Sequence, residues 1–224
     1  VELSSMILSY VKRYAQNALG EEINKAVISV PAYFNEIQRQ ATVEAGKKAG
    51  FTVERIINEP TAAALCYGIE HMEDESHILV YDLGGGTFDV TLLELFGGIA
   101  EVKASSGDNQ LGGKDFDEAI INYLTESFYN NHGISLKEDV LSMVKLKEAA
   151  ESCKLALSSV GEYTIKIPVI IEKDGISYPL QETITIELFE SLIKDLVERT
   201  HLPIKRVLSD GDIAPDQLDL ILLV

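Results

Sequence analysis

The 224 residues are enough for one large domain or two small ones with an ample core. Hydrophobic residues make up 46% and charged residues 25%, a globular balance that excludes a disordered chain. The net charge of −17 excludes the basic footprint of a nucleic-acid binder, and no apolar run reaches the ~20 residues of a membrane-spanning helix.

The opening residues Val1-Glu2-Leu3-Ser4-Ser5-Met6 carry neither a basic flank nor a cleavage site and do not read as a signal peptide. Leu3 to Leu19 has helical periodicity and stops at Gly20. Ala26 to Val30 is a short apolar strand closed by Pro31. Asn35, a capping residue type, opens a helix that runs to Ala49 and ends at Gly50. Val53 to Ile57 is a second strand, and Asn58-Glu59-Pro60-Thr61 turns into a small apolar helix through Tyr67, with Pro60 in the first turn. This alternation of strands and helices predicts an α/β layer.

His71 to His77 is polar and acidic and is the candidate subdomain boundary. Ile78 to Tyr81, Thr87 to Leu95 and Ile99 to Ser105 then read as a meander of strands, with Gly84-Gly85-Gly86 and Gly97-Gly98 at its turns. Gly112-Gly113 opens a helix over about Asp115 to Asn130, and a longer helix spans Lys137 to Ser159. Tyr163 to Glu172 and Ile176 to Ile186 form a hairpin through Asp174-Gly175. A helix from about Glu187 to Leu208 is expected to bend at Pro203, and Leu218 to Val224 is an apolar strand. With no initiator Met and a buried strand at its end, the sequence is expected to be the inner part of a longer protein. Cys66 and Cys153, both in helix-like sequence, read as buried or half-buried free thiols of a reducing compartment, which makes the cytoplasm the expected location.

Four stretches can carry chemistry. In Val80-Tyr81-Asp82-Leu83-Gly84-Gly85-Gly86-Thr87-Phe88-Asp89-Val90 an apolar strand ends in a carboxylate and a glycine turn leads into a second strand. Backbone N–H groups of Gly84, Gly85 and Gly86 can converge on an anion; Thr87 adds a hydroxyl; Asp82 and Asp89 add carboxylates able to hold magnesium through its waters. The same residues also suit a plain hairpin turn with a solvated Asp. There is no Gly-x-x-x-x-Gly-Lys-Ser/Thr and no Gly-x-Gly-x-x-Gly, which speaks against a P-loop or a dinucleotide fold. Gly112 and Gly113 lead into a helix N-terminus, which is either an anion site or a turn capped by Asp115. Glu59, at the end of a strand and the start of a helix, either faces a cleft and orients a water or simply complements the helix dipole. Glu151, Lys154 and Ser158 share one helix face, suited to an adenosine or equally to a solvated salt-bridge stripe.

The sequence resembles the nucleotide-binding domain of the 70-kilodalton heat-shock (DnaK-type) chaperone family. The resemblance is carried by Val30-Pro31-Ala32-Tyr33-Phe34, Gln38-Arg39-Gln40-Ala41-Thr42, Ile57-Asn58-Glu59-Pro60-Thr61-Ala62-Ala63-Ala64, the Asp82 to Val90 block, and Leu111-Gly112-Gly113-Lys114-Asp115-Phe116-Asp117. Asn109 and the Val1 to Ser5 segment look more like a divergent bacterial member of the HscC kind. The resemblance implies an α/β, actin-like (ribonuclease H-like) ATPase fold. It would comprise a partial first-lobe subdomain over 1–73, a second-lobe sheet over 77–117 with 210–224, and an outer α+β subdomain over 118–209.

The resemblance further implies ATP or ADP with Mg2+ as ligands. Glu59, Asp82, Thr87 and Asp89 match the catalytic positions, with Asp82 and Glu59 toward the metal mostly through water. Gly84, Gly85, Gly86, Gly112, Gly113, Glu151, Lys154 and Ser158 match nucleotide contacts, and Pro31 matches the relay between lobes. Implied partners are an unfolded client peptide bound by a domain outside this sequence, a J-domain co-chaperone and a nucleotide exchange factor, with no nucleic acid and no membrane. Lys114 stands where the family usually has an acid, and Leu155 where some members have an adenine-stacking Arg. The family's first phosphate hairpin with its Lys, and its later Gly-Gly adenosine motif, are not in the sequence. This leaves two other readings: a non-catalytic nucleotide-binding fragment, or a sugar or acetate kinase of the same fold.

Overall fold

The computed structural model describes residues 1–67, 76–97 and 99–224. The candidate boundary segment therefore lies outside the described residues over 71–75, as does Gly98 of the second glycine turn. The chain divides into two units, 1–82 with 89–106 and 204–224, and 83–88 with 107–203.

In the first unit, helix α1 (Glu2–Leu19) ends at Gly20, whose φ of 72° lets its N–H reach back to Gln16 O. Strand β1 (Lys25–Val30), helix α2 (Glu36–Lys48) and strand β2 (Thr52–Asn58) form a parallel β-α-β turn, with Ile28 opposite Ile56. The expected cap is present in full: Asn35 Oδ1 accepts from Gln38 N at 3.0 Å, and Gln38 Oε1 from Asn35 N at 2.9 Å. Arg39 then ties the loop after β1 to the end of β2, donating to Phe34 O, Ala32 O and Asn58 Oδ1. Helix α3 (Glu59–Tyr67) follows β2 without a linker.

Strands β3 (Ser76–Leu83), β4 (Phe88–Phe96) and β5 (Ile99–Asp108) build a sheet in the order β5-β4-β3-β8. Strand β8 (Leu220–Leu223) comes from the far end of the sequence and lies parallel to β3, Ile78 opposite Leu220 and Tyr81 opposite Leu223. Because strand side chains alternate, Ile78 and Val80 of β3 and Leu93 and Leu95 of β4 meet on one face, where Ala64 of α3 covers them.

The second unit packs helices α4 (Gly113–His132), α5 (Val140–Leu157) and α6 (Ile186–Arg199) with the antiparallel hairpin β6 (Glu162–Lys173) and β7 (Ile176–Thr185). Its core holds Ile120, Leu124, Leu146, Ala150, Ile170 and Ile184, all at most 1% exposed. The hairpin turn is Asp174-Gly175, with φ of 53° and 76°, the left-handed pair that a tight two-residue hairpin turn requires.

Three details differ from expectation. Helix α5 starts at Val140 rather than Lys137, because Asp139 Oδ2 caps Ser142 N at 2.7 Å. The bent helix over 187–208 is two helices, α6 and α7 (His201–Asp210), parted at Thr200. Pro203 has no N–H to offer Arg199 O, so the chain restarts and places the proline in a first turn. Cys66 is exposed, and only Cys153 is buried, where the apolar core pushes its thiol up to about 11. No helix among the described residues is long and apolar enough to cross a membrane.

Candidate functional site

In the first unit, three strand ends bring carboxylates together. Glu59 stands where β2 passes into α3, Asp82 near the end of β3, and Asp89 at the second residue of β4. Together with Pro31, Tyr33, Thr91 and Ser105 they line a cavity of ≈ 10 Å³, room for about one water. The Thr91 and Ser105 hydroxyls are 3.1 Å apart at its wall. Thr91 follows Asp89 by two residues, so the strand's own alternation puts both on one face.

Among the described residues no basic side chain offsets the charge of this cluster. Burial raises the Glu59 carboxyl above its ordinary range, and the charges of Asp82 and Asp89 raise it further. Burial alone raises Asp82; burial and then Asp82 raise Asp89. The Tyr33 phenol is likewise raised by burial, then by Asp89 and Glu59. Among the described residues no Lys or Arg forms an ion pair with the three carboxylates, and no group of three or more ligand-type side chains is set to clasp a metal directly. A cluster of this kind suits a cation that keeps its waters, as magnesium does.

In the second unit the two glycine turns dock on each other. Gly84 N donates to Thr87 O at 3.0 Å and closes the first turn. Gly113 N and Lys114 N donate to Gly84 O and Gly85 O, each at 2.9 Å. Gly112 N donates to Asp115 Oδ2 at 2.8 Å. The leading amides of α4 are thus used to seat the turn. Gly84, Gly85 and Gly86 all lie outside the left-handed region. What glycine provides here is close approach: a Cβ on Gly112 would lie 2.4 Å from Gly86 N and 2.5 Å from Gly86 Cα. The amides of Gly85 and Gly86 have no partner among the described residues, and Thr87 is exposed beside them.

On α5 Glu151 is exposed, as is Ser158 at the helix's C-terminal cap, while Lys154 is turned to its own unit. Lys154 Nζ lies 2.8 Å from Asp117 Oδ1 and donates to Asp117 Oδ2 at 2.9 Å and to Gly113 O at 3.0 Å. Asp117 Oδ1 is buried with no donor aligned on it. Lys154 therefore fastens α5 to the start of α4.

Sequence reasoning passed over Thr91, Ser105 and Asp117. The first was legible from its spacing to Asp89. Ser105 and Asp117 depend on contacts across 14 and 37 residues, which no local pattern marks.

A mixed α/β chain with half-buried acids at its strand ends and a side-chain-free turn after one of those strands has the parts of a phosphoryl-handling domain. The sequence model of the family described as Hsp70 protein matches residues 1–224, the whole sequence. The chain belongs to the Hsp70 family, and its fold is that family's actin-like ATPase fold.

Proposed function

We propose that this chain is part of the ATP-binding and ATP-hydrolysing domain of a chaperone that couples nucleotide state to the binding of unfolded protein. Membership of the Hsp70 family supports the chaperone ATPase in general, with ATP or ADP and Mg2+ as its ligands. The observation that carries the site is the set of three half-buried carboxylates, raised above their ordinary range by burial, then in Glu59 by Asp82 and Asp89 and in Asp89 by Asp82, with no cation paired to them among the described residues.

In this reading Asp82 and Glu59 hold the waters of magnesium, which supplies the positive charge that offsets the phosphates. Glu59 also orients the attacking water, with Asp89 as the second acid. The amides of Gly84 to Gly86 and the Thr87 hydroxyl receive phosphate oxygens, where preformed donors stabilise developing charge without reorganising. Gly112 and Gly113 shape the turn, Glu151 and Ser158 contact adenosine with Lys154, held by Asp117 and Gly113 O, completing that side of the site, and Pro31 relays nucleotide state. The three-part division over 1–73, 77–117 with 210–224, and 118–209 belongs to the same proposal. So do a cytoplasmic location, a client peptide, a J-domain co-chaperone and an exchange factor.

Calorimetric titration of this chain with MgATP and MgADP tests the nucleotide half. Heat of binding that disappears in Glu151→Ala supports the adenosine contact. Absence of binding to either nucleotide favours the reading of a fragment that does not bind nucleotide by itself. In the longer protein, Asp82→Ala and Thr87→Ala are each expected to slow hydrolysis more than tenfold, and unchanged turnover in both overturns the site.

A further inference from the structure

The peptide units Gly84–Gly85 and Gly85–Gly86 are both trans, so in each the N–H points opposite to the C=O. Both carbonyls are taken by the start of α4: Gly113 N donates to Gly84 O and Lys114 N to Gly85 O, each at 2.9 Å. The N–H groups of Gly85 and Gly86 therefore both face away from α4. Neither has a partner among the described residues, and Gly84, Gly85 and Thr87 are exposed.

The side chain of Lys114 returns to the turn that its backbone seats. It runs along Gly86, where a Cβ built on the glycine would meet Lys114 Cδ, Cε and Nζ at 3.8, 3.7 and 3.5 Å. No carboxylate among the described residues lies within ion-pair distance of this ammonium. The acids that follow it closely in sequence are engaged: Asp115 accepts from Gly112 N, and Asp117 from Lys154. In a chain of net charge −17 the turn is thus a local excess of positive charge and of unfilled donors. All of these groups belong to the second unit. Amides and an ammonium have nothing to accept with, and the Thr87 hydroxyl can also donate. Such a set recognises an oxyanion, the amides giving direction and the lysine charge.

We propose that Lys114 is a phosphate-binding residue, the resident positive charge of the Gly84–Gly86 turn. The assignment rests on the reading of that turn as a phosphate site and adds what its amides lack. Amides carry partial charges only, while a phosphate monoester brings about −1.5 to −2 at pH 7. The ammonium is a point charge on a flexible stem, so it follows the phosphate without fixing its angle.

Amide NMR of this chain tests it, with inorganic phosphate and MgATP titrated separately and sodium chloride at matched ionic strength as the blank. The Gly85 and Gly86 resonances are expected to move with phosphate in the wild type. Lys114→Gln is expected to weaken that binding roughly two- to five-fold, and Lys114→Glu roughly as much again. Lys114→Arg is expected to restore it, and the gap between Lys and Gln to narrow as salt screens the charge. All three variants keep the backbone N–H that seats the turn, so charge alone is varied. Movement of the same amides with MgATP assigns the phosphate of a nucleotide; movement with inorganic phosphate alone assigns free phosphate. A phosphate response lost in Lys114→Gln, in a wild-type chain that does not bind MgATP, upholds Lys114 and counts against nucleotide binding by this chain. Equal affinities in Lys114→Gln and the wild type overturn the assignment and leave the turn's own reading standing. Amides that move with neither ligand overturn both.

Discussion

Gly112 has backbone on the side where a side chain would be, with Gly86 N only 2.4 Å from a built Cβ. Gly112→Ala must therefore push the glycine turn off the start of α4. Overpacking against backbone is expected to cost about 1–3 kcal/mol, read as a lower urea midpoint. Gly85→Ala, where a Cβ meets nothing within 4 Å, is expected to leave that midpoint nearly unchanged. The acids make the second prediction at this scale. Glu59, Asp82 and Asp89 all have carboxyls raised above their ordinary range in the fold. The folded chain then binds protons more tightly than the unfolded one, so these groups lower stability as pH rises from the ordinary carboxylate range, about 4, through the raised values. Glu59→Gln is expected to melt higher than the parent at pH 7, with the gain vanishing on acidification toward pH 4; a lower melting point at pH 7 would mean the carboxylate has a partner. The positions of these acids were legible, because each stands at a strand end. Their crowding was not, because it depends on the end of β2, the end of β3 and the start of β4 meeting at one cavity.

Among the elements, Lys154 separates a structural role from a ligand role. Lys154→Met leaves Asp117 half-buried without its cation and Gly113 O without its donor. The cost is expected to be about 1–3 kcal/mol, measured by urea unfolding. Glu151→Ala, on the exposed side of the same helix, is expected to change stability by less than about 0.5 kcal/mol. Local chemistry foretold much at this scale: Asn35 as the cap of α2, Gly20 as the stop of α1, Asp174-Gly175 as the hairpin turn. It misjudged places where two local rules compete. The sequence predicts a bend at Pro203, but a proline near the start of a helix is tolerated while the same residue inside one is not, so the chain parts at Thr200 instead. The start of α5 turned on Asp139, whose capping bond outweighs the helical propensity of Lys137 and Glu138.

At the scale of the whole molecule, the membership of the units could not be read from neighbouring residues. The first unit draws on 1–82, 89–106 and 204–224. The parallel pairing of β3 with β8 joins segments that resemble any other apolar strands. Periodicity alone does not tell that Leu220 to Leu223 pairs with β3.

That pairing has a consequence in time. His77 and Asp219 are 142 residues apart. A ribosome adding 5–20 residues per second needs roughly 7–30 s to make the stretch between them. During that interval Ile78 to Tyr81 of β3 present an open apolar edge, the kind that pairs with whatever strand comes near. The nascent chain is most vulnerable between the synthesis of Tyr81 and that of Leu223. Ribosome-bound chains stalled before Leu218 are expected to be cut by a nonspecific protease within β3 much faster than chains stalled well past Val224, and equal cleavage would mean that β3 is protected before its partner strand exists.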